Sequence, residues 1–216
     1  MRILALSDIH GSYDAVDQIL KAEGDFDALL VCGDITTNGT PAEAEAAVRR
    51  MQQFGKPVLV VTGNMDPRPL EASMQTLGVS IDGTGRMIGD VGFFGVSAAP
   101  FSPLRTPYEI SEEEISRKAE SGWEVVAAAR WKVFVPHAPP RDTMMDRIWS
   151  GKHVGSTAVR RFVEARQPDV LVCGHIHEAR GTDRLGKTRL INCGAAGDGH
   201  YAVISIDADI TVENRE

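Results

Sequence analysis

Five apolar runs in this chain each stop at a short cluster of aspartate, asparagine, histidine or glycine. Asp8-Ile9-His10-Gly11 follows the run over residues 2–7, Gly33-Asp34 follows 28–32, and Gly63-Asn64 follows 58–62. His137 follows 132–136, and Gly174-His175-Ile176-His177 follows 170–173. Runs that are apolar throughout, rather than at alternate positions, read as strands covered on both faces. In the first third of the chain they alternate with helical stretches: 14–21, with Val16, Ile19 and Leu20 on one face, and 41–54, with Ala44, Ala47, Val48 and Met51 on another. Pro41 suits the first turn of the second helix. Strands alternating with helices imply a layered α/β domain, and residues 1–216 read as one such domain, with no repeat or linker.

Beyond residue 85 the pattern shifts to short β segments at 87–88 and 91–96, then a proline-containing loop over 99–107. A helix is expected over 110–129, opened by Glu112-Glu113-Glu114 where the helix dipole favours negative charge. Residues 139–153 read as a long irregular lid or rim loop. Ser156 is placed to cap a helix over 157–166 that buries Val159, Phe162 and Val163. Segments 170–173, 189–192 and 202–207 complete the expected strands.

Composition narrows the function classes. Hydrophobic residues make up 43% of the chain and charged residues 25%, enough apolar content for a sizeable core. A net charge of −7 without a basic stripe gives no reason to expect long nucleic acid or an anionic membrane as partner. The N-terminal apolar run is too short for a signal-peptide core and no run reaches membrane-spanning length, so a cytoplasmic location is expected. Cys32, Cys173 and Cys193 sit in or beside apolar runs and are expected as buried reduced thiols.

Ligands in open α/β folds bind outside the carboxyl ends of the strands, where side chains distant in sequence converge. Asp8, His10, Asp34, Asn64, His137, His175 and His177 all fall there, and they include four of the six histidines. Individually the pieces are ordinary turns; Gly63-Asn64, for instance, favours a turn with positive φ. His175-x-His177 is more specific, because alternation would put both imidazoles on one face of an extended segment. Two carboxylates, an amide and four imidazoles suit borderline divalent ions, with manganese the first expectation and iron, zinc, nickel or cobalt the alternatives. Seven ligands exceed what one such ion with open positions needs, but suit two ions sharing a carboxylate. Two ions, two aspartates and a bridging hydroxide leave a positive centre, which favours a phosphate oxyanion and attack of the hydroxide on phosphorus.

The order Asp-x-His, Gly-Asp, Gly-Asn, His, Gly-His-x-His resembles that of the calcineurin-like metallophosphoesterases over essentially the whole chain. The resemblance implies a four-layer α/β/β/α sandwich with two mixed sheets flanked by helices. It further implies Asp8, His10, Asp34 and His177 as ligands of one metal and Asp34, Asn64, His137 and His175 as ligands of a second, with Asp34 bridging. Asp34, Asn64 and His137 would then serve catalysis through the hydroxide and phosphate held there. A small phosphate ester is the expected substrate, with the oligomeric state open. A binding or scaffold protein on the same fold is the alternative.

One departure stands out. Many members of that family read Gly-Asn-His at the third motif, where the His is a general acid or phosphate contact; here the motif is Gly63-Asn64-Met65-Asp66. A thioether is only a weak acceptor and has no proton to give. The gap resembles that in a branch of small bacterial and archaeal phosphodiesterases with cysteine at this position, so activated or diester substrates are expected to outperform alkyl monoesters. Asp66-Pro67 reads as a helix N-cap followed by the first helical residue. His153 reads as an exposed loop histidine and His200 as ambiguous. Ser97 lacks a Gly-x-Ser-x-Gly context, and no Walker loop is present.

Overall fold

A computed structural model describes all of residues 1–216. The N-terminal half runs β1 (Arg2–Leu6), α1 (Tyr13–Glu23), β2 (Ala28–Cys32), α2 (Pro41–Gln52), β3 (Val58–Val61) and α3 (Pro69–Thr76). It continues through β4 (Gly85–Ile88), β5 (Val91–Val96), β6 (Ala99–Pro100), β7 (Glu109–Ile110) and α4 (Glu112–Val125). The remainder is β8 (Trp131–Pro136), α5 (Thr157–Arg166), β9 (Val170–Cys173), β10 (Gly181–Leu185), β11 (Thr188–Asn192), β12 (Tyr201–Ile206) and β13 (Ile210–Arg215).

Two mixed sheets form, in the orders β13-β12-β1-β2-β3 and β10-β11-β9-β8-β5-β4. Strands β1, β2 and β3 run parallel, as do β5, β8, β9 and β11, while the outer strands β13, β10 and β4 are antiparallel to their neighbours. The apolar runs divide by period two. Ile3, Ala5, Leu30, Cys32, Leu59 and Val61 from one sheet meet Phe93, Val133, Val170, Val172 and Ile191 from the other. The alternate residues Leu4, Leu6, Leu29, Val31 and Val60 face α1, α2 and α3. Phe94, Phe134 and Leu171 face α4 and α5. The expected four-layer sandwich is therefore the fold, with the sheets back to back and helices outside. All three cysteines are buried and free.

Packing rather than capping decides the helices. Ser12 makes no side-chain cap bond to α1, yet Val16, Ile19 and Leu20 are buried; that burial contributes about 5 kcal/mol against about 1 for a cap. Helix α5 takes the expected bounds, with the Ser156 hydroxyl accepting from Val159 N–H. Helix α4 is shorter than expected: Ile110 belongs to β7, and the Ser111 hydroxyl accepts from Glu114 N–H to start the helix at Glu112.

Several elements correct the sequence reading. Strands β10 and β13 and the β6–β7 pair were not expected, and the helix expected from Pro67 forms two residues later, as α3. Asp66 is not a helix cap, because α3 begins at Pro69 after Arg68. Residues 139–153 are not irregular throughout: a 3-10 turn at Met144–Asp146 and bridges pairing Pro140 with Ser156 and Arg147 with His153 make the segment compact.

Candidate metal centre

The carboxyl ends of β1, β2, β3, β8 and β9 open onto one rim, and the backbone there is bent sharply. Asp8, His10, Asp34 and His175 all take left-handed φ, between 48° and 68°, which makes them four of the nine non-glycine residues that do so. Each such residue costs on the order of 1 kcal/mol, and strain of this kind collects at functional sites. Cross-links hold the turns: Asp8 N–H donates to Gly33 C=O at 3.0 Å, His10 N–H to Asp34 C=O at 2.9 Å, and Gly174 N–H to His137 C=O at 3.2 Å. Neither Gly63 nor Asn64 has positive φ, contrary to expectation. Gly63 is required instead by close approach, since a Cβ there would strike the Asp34 carboxylate, and one at Gly174 would strike Ser7 and Asp8.

All seven expected residues meet at this rim. Asp34 Oδ2 lies 3.7 Å from His10 Nε2 and 3.5 Å from His137 Nε2. His137 Nε2 is also 2.9 Å from Asn64 Oδ1, and His177 Nε2 is 3.2 Å from Asp8 Oδ1. Asp8, Asp34 and His137 are buried, and His177 is the exposed member. His175 and His177 do not share one extended face: His175 is left-handed and His177 begins a 3-10 turn. Their rings diverge, His175 stacking edge-on to His137 at 5.0 Å and His177 lying 5.4 Å from His10.

The donors fit a pair of divalent cations. Ligand atoms of Asp8, His10 and His177 fall within 4.8 Å of one another, as do those of Asp8, Asp34 and His137. The imidazoles are oriented from behind, the arrangement that metal-binding histidines need. His137 Nδ1 meets Cys32 C=O at 2.7 Å and His10 Nδ1 meets Thr37 Oγ1 at 2.9 Å, which leaves both Nε2 atoms facing the carboxylates. Charge points the same way. Burial opposes ionisation of His137, yet Asp34 and Asp8 raise its pKa to about 9. Burial also opposes ionisation of Asp8, but hydrogen bonding to His177 and the charge of His137 bring it down to about 2. His175, buried and beside His137, is lowered to about 4 and stays neutral, the form that binds metal. Two buried carboxylates here demand positive charge.

The sequence reading missed what surrounds the cluster. Asp66 is fully buried, and its carboxylate accepts from Ile35 N–H, Thr36 N–H, Thr36 O–H and Gly63 N–H at 2.8–3.1 Å. It ties the Asp34 turn to the Asn64 turn. Beside the cluster lies a cleft of about 700 Å³, lined by Pro100, Phe101 and Leu104 of the 99–107 loop and by Arg141, Ile148, His153 and Val154 of the later segment. The 99–107 loop is not slack, because the Glu109 carboxylate accepts from Ser102 and Thr106 backbone and hydroxyl groups at 2.7–3.1 Å. That bracing leaves Phe101 and Leu104 71% and 82% exposed at the cleft. No sequence signal marks these walls. His200 lies away from the cleft, with Nε2 3.8 Å from Glu216.

An α/β/β/α sandwich carrying this donor set at its strand ends has the architecture of a metallophosphoesterase. The calcineurin-like phosphoesterase family model matches residues 1–179, and the chain belongs to that family, whose members use a dinuclear metal centre. The uncharacterized protein MJ1162 of Methanocaldococcus jannaschii is 34% identical over 197 residues, covering 89% of this chain and 87% of that protein. The UPF0046 protein K07C11.7 of Caenorhabditis elegans is 27% identical over 230 residues, with 93% and 71% covered. Among solved structures, TT1561 of Thermus thermophilus matches with a TM-score of 0.77 at 17% identity, over 99% of this chain and 98% of that one. A dimetal phosphatase from Danio rerio matches with a TM-score of 0.69 at 12% identity, over 100% and 96%. These structural likenesses show a shared fold. No helix is long and apolar enough to cross a membrane.

Proposed function

We propose that this chain is a two-metal phosphodiesterase, with Asp8, His10, Asp34 and His177 holding one divalent cation and Asp34, Asn64, His137 and His175 the other. Manganese is the first candidate for both. The observation that carries the assignment is Asp34 Oδ2, which sits between His10 Nε2 and His137 Nε2 at 3.7 and 3.5 Å. Cations held there would supply Lewis acidity, to activate a water and neutralise charge that develops on the phosphoryl oxygens. The chain's own groups do the rest. Asp66 and the backs of the imidazoles fix the donors in place. Arg141, at the cleft wall, meets an anionic substrate. The apolar wall of Pro100, Phe101 and Leu104 holds an ester substituent and keeps water from that side.

A cleft of about 700 Å³ is far larger than a phosphate ion, which supports a substrate with organic groups on phosphorus. Met65 lines the cleft where an imidazole stands in many relatives, which supports diesters over alkyl monoesters. Manganese-loaded protein is expected to hydrolyse bis(4-nitrophenyl) phosphate and to turn over glycerol phosphate more slowly. A clear monoester preference contradicts the diester reading. A binding role on the same fold has one observation in its favour, the exposure of Phe101 and Leu104 at the cleft. Activity unchanged in both Asp34→Ala and His175→Ala would favour that role over catalysis.

A further inference from the structure

His153 is not a free loop histidine. Its Nδ1 lies 2.6 Å from Asp146 Oδ1, and Asp146 is fully buried. The same carboxylate accepts from Asp142 N–H at 3.1 Å, Thr143 N–H at 3.0 Å and Gly155 N–H at 2.9 Å. Val154 N–H donates to Asp146 C=O at 3.1 Å, and the Arg147–His153 bridge closes the segment. Four donors on one buried carboxylate fix both the position of His153 and its tautomer. With Nδ1–H given to Asp146, Nε2 is left without a protein partner. The ring is one-third exposed and lines the same cleft as His10, Asn64, Met65 and His177.

Resting on the phosphodiesterase reading, we propose that His153, oriented by Asp146, is the proton donor to the leaving group, in place of the imidazole that Met65 does not supply. In the step, a water oxygen forms a bond to phosphorus and the bond from phosphorus to the leaving oxygen breaks. The leaving oxygen takes the electron pair and the proton from His153 Nε2. The water gives up one proton to solvent, and Nε2 regains one from solvent through its exposed edge. His153 keeps its Nδ1 proton on Asp146 throughout. A carboxylate behind an imidazole that faces the substrate is the usual way to hold such a ring in one tautomer. The donor approaches from the 139–156 segment, which lines the cleft together with the 99–107 loop.

The role separates from a merely structural clamp by leaving group. His153→Gln keeps a donor to Asp146 but cannot protonate an alkoxide or phenoxide. Diphenyl phosphate, with a poor leaving group, is expected to lose about 10²-fold or more in kcat/KM, the usual scale of general-acid help. Bis(4-nitrophenyl) phosphate, whose leaving group departs unprotonated, is expected to change less than about tenfold. Equal losses on both esters, or none on either, overturn the proposal while leaving the phosphodiesterase reading intact. A wild-type protein inert to both esters overturns that reading and the proposal together. Thermal unfolding and metal content of the variant are expected to match the wild type. Long-range 1H–15N NMR of zinc-loaded wild type reads the contact without turnover: Nε2 of His153 is expected to shift on adding inorganic phosphate, and an unmoved Nε2 counts against it.

Discussion

Asp66 shows how one carboxylate can set a site it does not enter. It accepts two hydrogen bonds from Thr36 and one each from Ile35 and Gly63, so the turns that carry Asp34 and Asn64 share one acceptor. Asp66→Ala would leave these donors buried and unpaired, at about 1–3 kcal/mol for each such group and less than their sum together. A loss of about 3–5 kcal/mol in urea unfolding is expected, with cation affinity lowered about 10–100-fold. A variant with wild-type stability and affinity would contradict the role. The sequence could not reveal this, because Thr36 and Ile35 lie 30 and 31 residues away and the adjacent Pro67 imitates a helix start. Asp146 has its partners only 3–9 residues away, but in a segment that read as irregular. The seven cluster residues, by contrast, were legible, since each is next to a buried run whose end fixes where its side chain emerges.

At the scale of elements, the legible ones are those whose burial pattern is unambiguous. Strands β1, β2, β3, β8 and β9 are apolar on both faces because a sheet or a helix covers each side. Strands β10 and β13 are polar edge strands, carrying Thr182, Asp183 and Arg184 or Thr211, Glu213 and Asn214, and are held by backbone pairing that leaves no apolar signature. Helix α3 is only eight residues long, so its periodicity is too short to read. Edge strand β13 is fastened instead by Glu23 at the end of α1. That carboxylate accepts from Arg2 of β1, from Tyr201 O–H of β12 at 2.9 Å and from Arg215 Nη1 of β13 at 2.9 Å. Burial pushes its pKa up, but the bonds from Arg2, Tyr201 and Arg215 outweigh burial and hold it below the usual value. A depressed folded pKa contributes stability above the unfolded value of about 4.3, and that stability is lost as pH falls through the folded value. Glu23→Gln is therefore expected to lose about 1–3 kcal/mol in urea unfolding at pH 7. The difference from wild type should be smaller at about pH 3, below the unfolded value, and vanish only below the folded one. An equal gap at both pH values would refute the charge-assisted account.

Across the whole molecule, the centre joins the two sheets. Asp8, His10, Asp34 and Asn64 follow strands of the first sheet, while His137, His175 and His177 follow strands of the second. Cations bound between them would clamp the two rims of the sandwich and offset the mutual repulsion of Asp8 and Asp34. Binding that favours the folded state adds about 2.7 kcal/mol when free cation stands a hundredfold above Kd. In a chain of this size that raises Tm by roughly 5–10 °C. Stripping with a chelator is expected to lower Tm by that amount and manganese to restore it; a Tm indifferent to both would show that the sheets close without metal. The most direct test of the central claim is anomalous diffraction from crystals of manganese-loaded protein. Two peaks are expected on either side of Asp34, about 3.5–4 Å apart, with one reached by His177 and the other by His175. A single peak, or none within the cluster, would contradict the two-metal centre.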